Sequence, residues 1–389
     1  MTYKAQSRDD HFRSKGPKRI LALDGGGLRG ILTLGYLARM EDFLGARFDA
    51  KKSFRLAHYF DLIAGTSTGA IIAAALAKGL SIAEIAEHYL QMGKQVFGGK
   101  NWFSTIVRDK YNKAPLEVLL KQVLGDHTTL GDPQLLTGLL IVTKRCDTGS
   151  PWPIGNNPSG KYFKAPPGAT WLSNGDYPLW QVVRASTAAP TYFEPEMISI
   201  GTAEASQTGR FVDGGVSPHN NPSLQALMYA TLSGFGIMWP TGEDKLFIVS
   251  VGTGAGRPDI DESSVSAMNG VNALQGLMTD SSALVETMMQ WMSNSSTARR
   301  IDGEIGNLAG DLLGGSPQFT YLRYNVELTD TGLAQIRPGL TSDILKKLPE
   351  MDSVQNLAML QEIGEAAAAH QINPGHFPAA FDLTETRAT

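Results

Sequence analysis

Apolar and polar positions near the start of the chain repeat one arrangement twice. Ile20 to Leu23 is an unbroken apolar run closing on Asp24, which predicts a short buried strand. Glycines follow, and then Ile31, Leu34, Leu37 and Met40 recur at helical spacing. The order returns at once. Tyr59 to Ala64 predicts a second strand, Gly65 to Gly69 a tight turn, and Ala70 to Lys78 a small-residue helix stopped by Gly79. Alternation of strand, tight loop and helix predicts a mainly parallel sheet. Ser81 and Glu84 have capping-box spacing, which starts a helix over Ile82 to Val96.

Leu139 to Lys144, Arg210 to Val212 and Lys245 to Val251 predict further strands, each bounded by turn residues. Between Asp147 and Tyr177, prolines and glycines interrupt any period, which predicts a surface insertion that could cover a site. Val271 to Met292 carries Leu274, Leu277, Met278, Leu284, Met288, Met289, Trp291 and Met292 at helical spacings. It reads as a core helix in which methionine fills irregular space, with a lid as the alternative. Phe97, Trp102 and Phe103 lie among Lys100, Arg108 and Lys110, a mixture suited to a membrane-contacting loop or to a half-buried connector. The expected organisation is a disordered polar arm over 1–17, a catalytic domain over 18–330 with its insertion at about 147–177, and a helical extension over 331–389 packed on the same domain.

Composition narrows the function classes. Of 389 residues, 42% are apolar and 19% charged, with a net charge of −4. That balance is ordinary for a globular protein and shows no basic footprint for nucleic acid. A single cysteine, Cys146, excludes an internal disulfide and any multi-cysteine metal site; it is expected to be buried in or beside a strand. No apolar leader precedes Lys18, so cytoplasmic residence is the expectation, with any membrane contact peripheral.

Chemistry concentrates in three glycine-rich stretches. Gly65-Thr66-Ser67-Thr68-Gly69 fits the nucleophile elbow, in which flanking glycines let a strand turn sharply into a helix and lift the serine above the sheet edge. Asp24-Gly25-Gly26-Gly27-Leu28-Arg29-Gly30 follows the first strand, and its backbone N–H groups can converge on an oxyanion. The same stretch also satisfies a dinucleotide fingerprint, but Glu41 and Asp42 fall inside the following helix, where they cannot serve as the acidic residue ending a second strand. Phe211-Val212-Asp213-Gly214-Gly215 ends a strand on a carboxylate, and Asp213 is the candidate base if a dry site raises its pKa. His219, His370 and His376 offer a conventional triad in the right chain order, yet none sits in a motif. There is no EF-hand spacing and no H-E-x-x-H.

Taken in order, DGGGLRG at 24–30, GTSTG at 65–69 and DGG at 213–215 resemble the three signature blocks of patatin-like phospholipases. Ala185 to Phe193, Asn221-Pro222 and Ser250 to Gly254 are similar to segments that frame that family's core. The resemblance covers about Lys18 to Gly254. It implies a three-layer α/β/α sandwich with a mainly parallel central sheet, in which Ser67 attacks the acyl carbonyl and Asp213 activates it. Gly25, Gly26, Gly27 and Arg29 would form the oxyanion hole, with anchoring of the loop as the alternative role for the Arg29 side chain, and with Gly65, Gly69, Gly30 and Gly215 supporting the turns. No metal or cofactor is implied. The implied substrate is a phospholipid at a membrane surface. Neutral lipids or soluble esters remain the alternative, as does an effector silent until an activator docks; oligomeric state stays open.

Overall fold

The structure, a computed structural model, describes residues 3–97, 113–190, 192–256 and 266–384. Its strands are β1 (Lys18–Leu23), β2 (Leu62–Thr66), β3 (Gly138–Arg145), β4 (Pro151–Gly155), β5 (Glu196–Ser199), β6 (Thr208–Asp213), β7 (Leu246–Val251), β8 (Ser293–Asn294) and β9 (Phe319–Tyr324). Around them run α1 (Arg8–Arg13), α2 (Gly30–Arg47), α3 (Leu56–Tyr59), α4 (Thr68–Ala77), α5 (Ile82–Phe97) and α6 (Ala114–Leu124). They continue with α7 (Leu179–Ser186), α8 (Ser223–Thr231), α9 (Ser266–Trp291), α10 (Asp330–Leu333), α11 (Ser342–Lys347) and α12 (Leu357–Gln371).

The strands form one mixed sheet, with β3, β2, β1, β7, β9 and β8 side by side and parallel. Successive strand residues point to opposite faces. Leu21, Leu23, Ile63, Ile141, Val249 and Leu322 enter a core shared with α2, α4, α5, α7 and α12. Ile20, Leu62, Ala64, Leu140, Ile248 and Tyr321 enter a second core with α1, α8 and α9. Two covered faces are why the parallel strands read as unbroken apolar runs. This is the three-layer α/β/α sandwich that the sequence predicts.

The antiparallel edge decides where the chemistry falls. Residues 140–142 of β3 pair with β2 and with β4, so those two strands flank β3 on opposite sides. Thr143 and Lys144 pair with β4 and with β6. β6 therefore takes the edge that β2 vacates beyond Thr66, and the two strands meet head to head. Their C-terminal residues, Thr66 and Asp213, pair with adjacent positions of β3, Val142 and Thr143.

Several expectations need correction. The N-terminal arm is ordered from Tyr3: Ser7 and Asp10 form a capping box for α1, His11 Nδ1 lies 2.8 Å from Asp61 Oδ1, and Phe12 packs against Trp239. Its three buried side chains were hidden by a polar average. Tyr59 ends a helical turn, and β2 begins only at Leu62. Cys146 is exposed, in the turn just past β3. The insertion contributes a strand, β4, to the sheet. α9 is only half a core helix: Val285 and Met289 are buried, while Leu277, Leu284 and Trp291, spaced by seven, are 64%, 60% and 41% exposed. Most of the aromatic and basic stretch after Phe97 lies outside the described residues. The C-terminal segment packs on the body of the domain, with α12 against α2 so closely that a Cβ on Gly364 would strike the Leu32 backbone.

Candidate active site

The turn after β2 places Ser67 in a backbone conformation that side-chain-bearing residues rarely adopt, φ 55° and ψ −123°. Such strain costs on the order of 1–3 kcal/mol and persists only where its surroundings enforce it. Here the enforcement is the contact between Gly65 and Gly69: a Cβ on Gly65 would lie 2.6 Å from the Ala70 nitrogen, and one on Gly69 would lie 2.7 Å from the Asp24 carbonyl. The Ser67 N–H donates to Ser186 Oγ at 2.9 Å, whose hydroxyl donates on to the Val142 carbonyl at 2.6 Å. The elbow is thus fastened to β3 through α7.

Asp213 arrives from the opposite direction. Its Oδ2 accepts the Ser67 hydroxyl at 2.6 Å and its Oδ1 accepts the Gly215 N–H at 2.7 Å. Both residues are buried. Burial pushes the Asp213 carboxyl up to about 6, against the opposing pull of the Ser67 and Gly215 hydrogen bonds and the Arg184 charge. A carboxylate with that pKa is ionised at neutral pH yet basic enough to receive a proton. No histidine lines the cavity around this pair. His219 instead accepts the Thr66 hydroxyl through its carbonyl, and His370 and His376 line a separate cavity.

The glycine loop after β1 lies against the pair, since a Cβ on Gly25 would come within 3.0 Å of Ser67 Cβ. Its donors are not equivalent. The Gly25 N–H is taken by the Asn220 carbonyl at 3.1 Å, and the Leu28 N–H by the Met351 carbonyl at 2.6 Å. Gly26 and Gly27 line the Ser67 cavity and donate their N–H groups to no acceptor among the described residues. Gly27 holds φ 61°, and a side chain on Gly26 would collide with Thr253. Arg29 is not part of that cavity; its Nε reaches the Gly26 carbonyl at 3.4 Å and it lines the neighbouring cavity instead. Gly30 leaves room for the Tyr89 hydroxyl, and Gly215 for Met278 and Asn220.

The cavity around Ser67 is a narrow slot of about 80 Å³, walled mainly by Ile71, Met92, Leu116, Phe193, Met278 and Met351. Typical ligand sites hold about 300–1,000 Å³. The predicted cover, residues 147–177, contributes nothing to this wall; Met278 of α9 and Met351, just before α12, do. Sequence reasoning missed Met351 and Asn220, which reach the site by tertiary packing and carry no motif; Met278 lay in the helix with a lid as its alternative reading, and Ser186 and Thr253 lay in the framing segments, without an assigned contact to the site. Among the described residues, no three His, Cys, Asp or Glu side chains cluster to hold a metal ion, and no helix is long and apolar enough to cross a membrane.

Residues 21–227 match the family profile described as Patatin-like phospholipase. A relative from Escherichia coli (strain TW11681), named cGAMP-activated phospholipase, is 32% identical over 214 residues, covering 54% of this chain and 55% of the relative. A Vibrio cholerae protein with the same name is 29% identical over 274 residues, covering 68% of this chain and 72% of its own. The 85/88 kDa calcium-independent phospholipase A2 of Rattus norvegicus is 32% identical over 219 residues, covering 54% of this chain and 23% of its own length. The chain therefore spans about half of the first of these relatives and under a quarter of the last.

Proposed function

The chain belongs to the patatin-like phospholipase family, and from that premise we propose that it is a lipid acyl hydrolase of the phospholipase A type, cleaving fatty-acyl esters of membrane phospholipids through Ser67 and Asp213. The observation that carries the reading is the 2.6 Å contact between the Ser67 hydroxyl and a buried carboxylate whose pKa is pushed up to about 6. In the first half-reaction, Ser67 Oγ attacks the acyl carbonyl carbon as its proton passes to Asp213. The tetrahedral oxyanion takes the N–H groups of Gly26 and Gly27. Its collapse breaks the ester C–O bond, Asp213 returns the proton to the departing lysophospholipid alkoxide, and an acyl-serine remains. Water then attacks the acyl-serine with Asp213 again as base; as the Ser67 Oγ–acyl bond breaks, Asp213 returns the proton to Ser67 Oγ, and the fatty acid leaves. Leu277, Leu284 and Trp291 give α9 an exposed apolar stripe suited to a bilayer surface.

The slot itself favours a regulated form of this enzyme. A volume of about 80 Å³ leaves Ser67 only 8% exposed, so α9 and Met351 must move before a lipid can enter. Two relatives are named for activation by cGAMP; an activator, or contact with a membrane, would supply that movement here.

The test is fatty-acid release from mixed phospholipid vesicles by wild type, Ser67→Ala and Asp213→Asn, with EDTA present and with and without a cyclic dinucleotide. Release abolished in both folded variants supports the reading. Release that survives Asp213→Asn undiminished sinks the role of that carboxylate, and activity confined to short soluble esters would move the substrate class away from phospholipids.

A further inference from the structure

A second cavity, of about 680 Å³, opens beside the slot and shares Met278 and Met351 with it. It lies past the carboxyl ends of three parallel strands: Asp24 follows β1, Thr253 follows β7, and Asn325 follows β9. β1 is the point from which the chain builds the sheet first toward β2 and β3 and later toward β7 and β9. Open α/β sheets bind ligands in the crevice at such a switch point. Its size falls within the usual range for a small-molecule site.

The charges in this cavity do not all cancel locally. Asp24 is taken by Arg323 through contacts of 2.9 and 2.6 Å, and Glu286 by Arg299 at 2.9 Å. Arg29 is left over: it is 8% exposed and has no carboxylate within ion-pair distance among the described residues. Burial pushes its guanidinium down to about 10, although Tyr192, Asp24 and Tyr89 pull the other way. A buried cation with no adjacent counter-charge is costly unless an anion joins it, and a guanidinium fork fits two oxygens of one phosphate. At the solvent-exposed rim, Glu327 is likewise without a cation in ion-pair range among the described residues. An inner cation and an outer carboxylate match a ligand with its phosphate inside and an ammonium group outside.

We propose that this cavity is the phosphodiester head-group site of the substrate, with Arg29 as the phosphate partner. The assignment rests on the lipid-hydrolase reading. Beyond the reacting groups the slot is walled mainly by apolar side chains suited to acyl chain, and the wall it shares with the polar cavity is two unbranched, adaptable side chains. Rotation of Met278 and Met351 joins the two spaces, so that one lipid lies with its chain beside Ser67 and its head group beside Arg29. Soluble phosphodiesters carry the same anion, and the experiment separates the two sources.

Binding is measured by calorimetry on full-length Ser67→Ala protein, titrated with glycerophosphoethanolamine, with ethanolamine plus glycerol as the phosphate-free control, and with cyclic GMP–AMP. The expected result is saturable binding of the glycerophosphodiester, none of the control, and at least a tenfold loss in the Arg29→Met background. Thr279→Trp, which fills the cavity from α9, is expected to weaken binding as well, and it decides the matter if Arg29→Met does not fold. Absence of binding, or binding indifferent to both substitutions, overturns the proposal. Arg29-dependent binding of cyclic GMP–AMP alone overturns the head-group assignment in favour of a soluble regulator. Hydrolysis does not enter this measurement, so it and the vesicle assay fail separately.

Discussion

Asp24 and Asp213 invite comparison, because each ends a buried strand and each is followed by Gly-Gly. Both carboxylates are almost fully enclosed. Asp24 receives a guanidinium from β9, and the pair is bidentate and backed by Ser250. Asp213 receives only a hydroxyl and a backbone N–H. Ion pairing makes the first an anchor for the loop that presents Gly26 and Gly27. Burial pushes both carboxyls up; at Asp24 the Arg323 guanidinium opposes it directly, while Asp213, with hydrogen bonds and the Arg184 charge opposing, is pushed up to about 6, which suits the proton transfers of the proposed mechanism. The same three residues serve position in one place and, on the proposed mechanism, reaction in the other, and the difference is supplied by strands remote in the chain.

The widest separation between the two should come from removing their charges. Asp213→Asn and Ser67→Ala are expected to lower kcat on vesicles by at least ~10³-fold, the scale seen when a nucleophile or its base is lost. Folding is retained in both, as circular dichroism would show. Asp24→Asn should instead damage stability first. Breaking one side of a buried ion pair costs about 3–5 kcal/mol, so Arg323→Met and Asp24→Asn should each lower the denaturant midpoint sharply. The double variant Arg323→Met/Asp24→Leu should recover part of that loss; equal losses in the single and double variants would show that the pair is not coupled.

A smaller effect follows from the Asp213 carboxyl. The Asp213 pKa is raised from 3.8 to about 6, so between those values the folded protein holds a proton that the unfolded chain releases. Stability from this group is therefore greatest at low pH and falls as pH rises through about 6, by roughly 2–3 kcal/mol. Asp213→Asn should stabilise the protein at pH 8 by a similar amount while abolishing turnover. Wild-type kcat/KM should rise through about pH 6 as Asp213 ionises; a flat profile there would argue against this base. The mildest change expected is Leu277→Asp, which should reduce vesicle hydrolysis several-fold and leave a soluble ester untouched.

The Asp213 side of the comparison was legible in the sequence and the Asp24 side was not. The elbow and both DGG stretches are written in adjacent residues, because tight turns and close backbone approach demand glycine locally. The parallel core was legible for a similar reason, since two covered faces require unbroken apolar runs. Arg323 lies 299 positions from Asp24, and no local pattern announces the pairing. Arg29 shows the limit of motif reading: its place in DGGGLRG left an oxyanion contact and anchoring of the loop both open, while its Nε reaches the Gly26 carbonyl and its side chain lines the neighbouring cavity. Helix α1 escaped notice because its inward residues, Arg8, His11 and Phe12, are mostly polar. Met278 and Met351 are visible as methionines, but nothing in the chain says that they meet.

The head-to-head meeting of β2 and β6 on β3 also sets a timetable. The proposed nucleophile, Ser67, lies early in the chain, but its proposed base, Asp213, is 146 positions further on and reaches it only when an antiparallel pairing closes in one register. A slip of one residue would turn Asp213 to the other face of the sheet. On the proposed mechanism, Ser67 therefore stays inert until the sheet is finished, and hydrolytic capacity comes only with the completed fold.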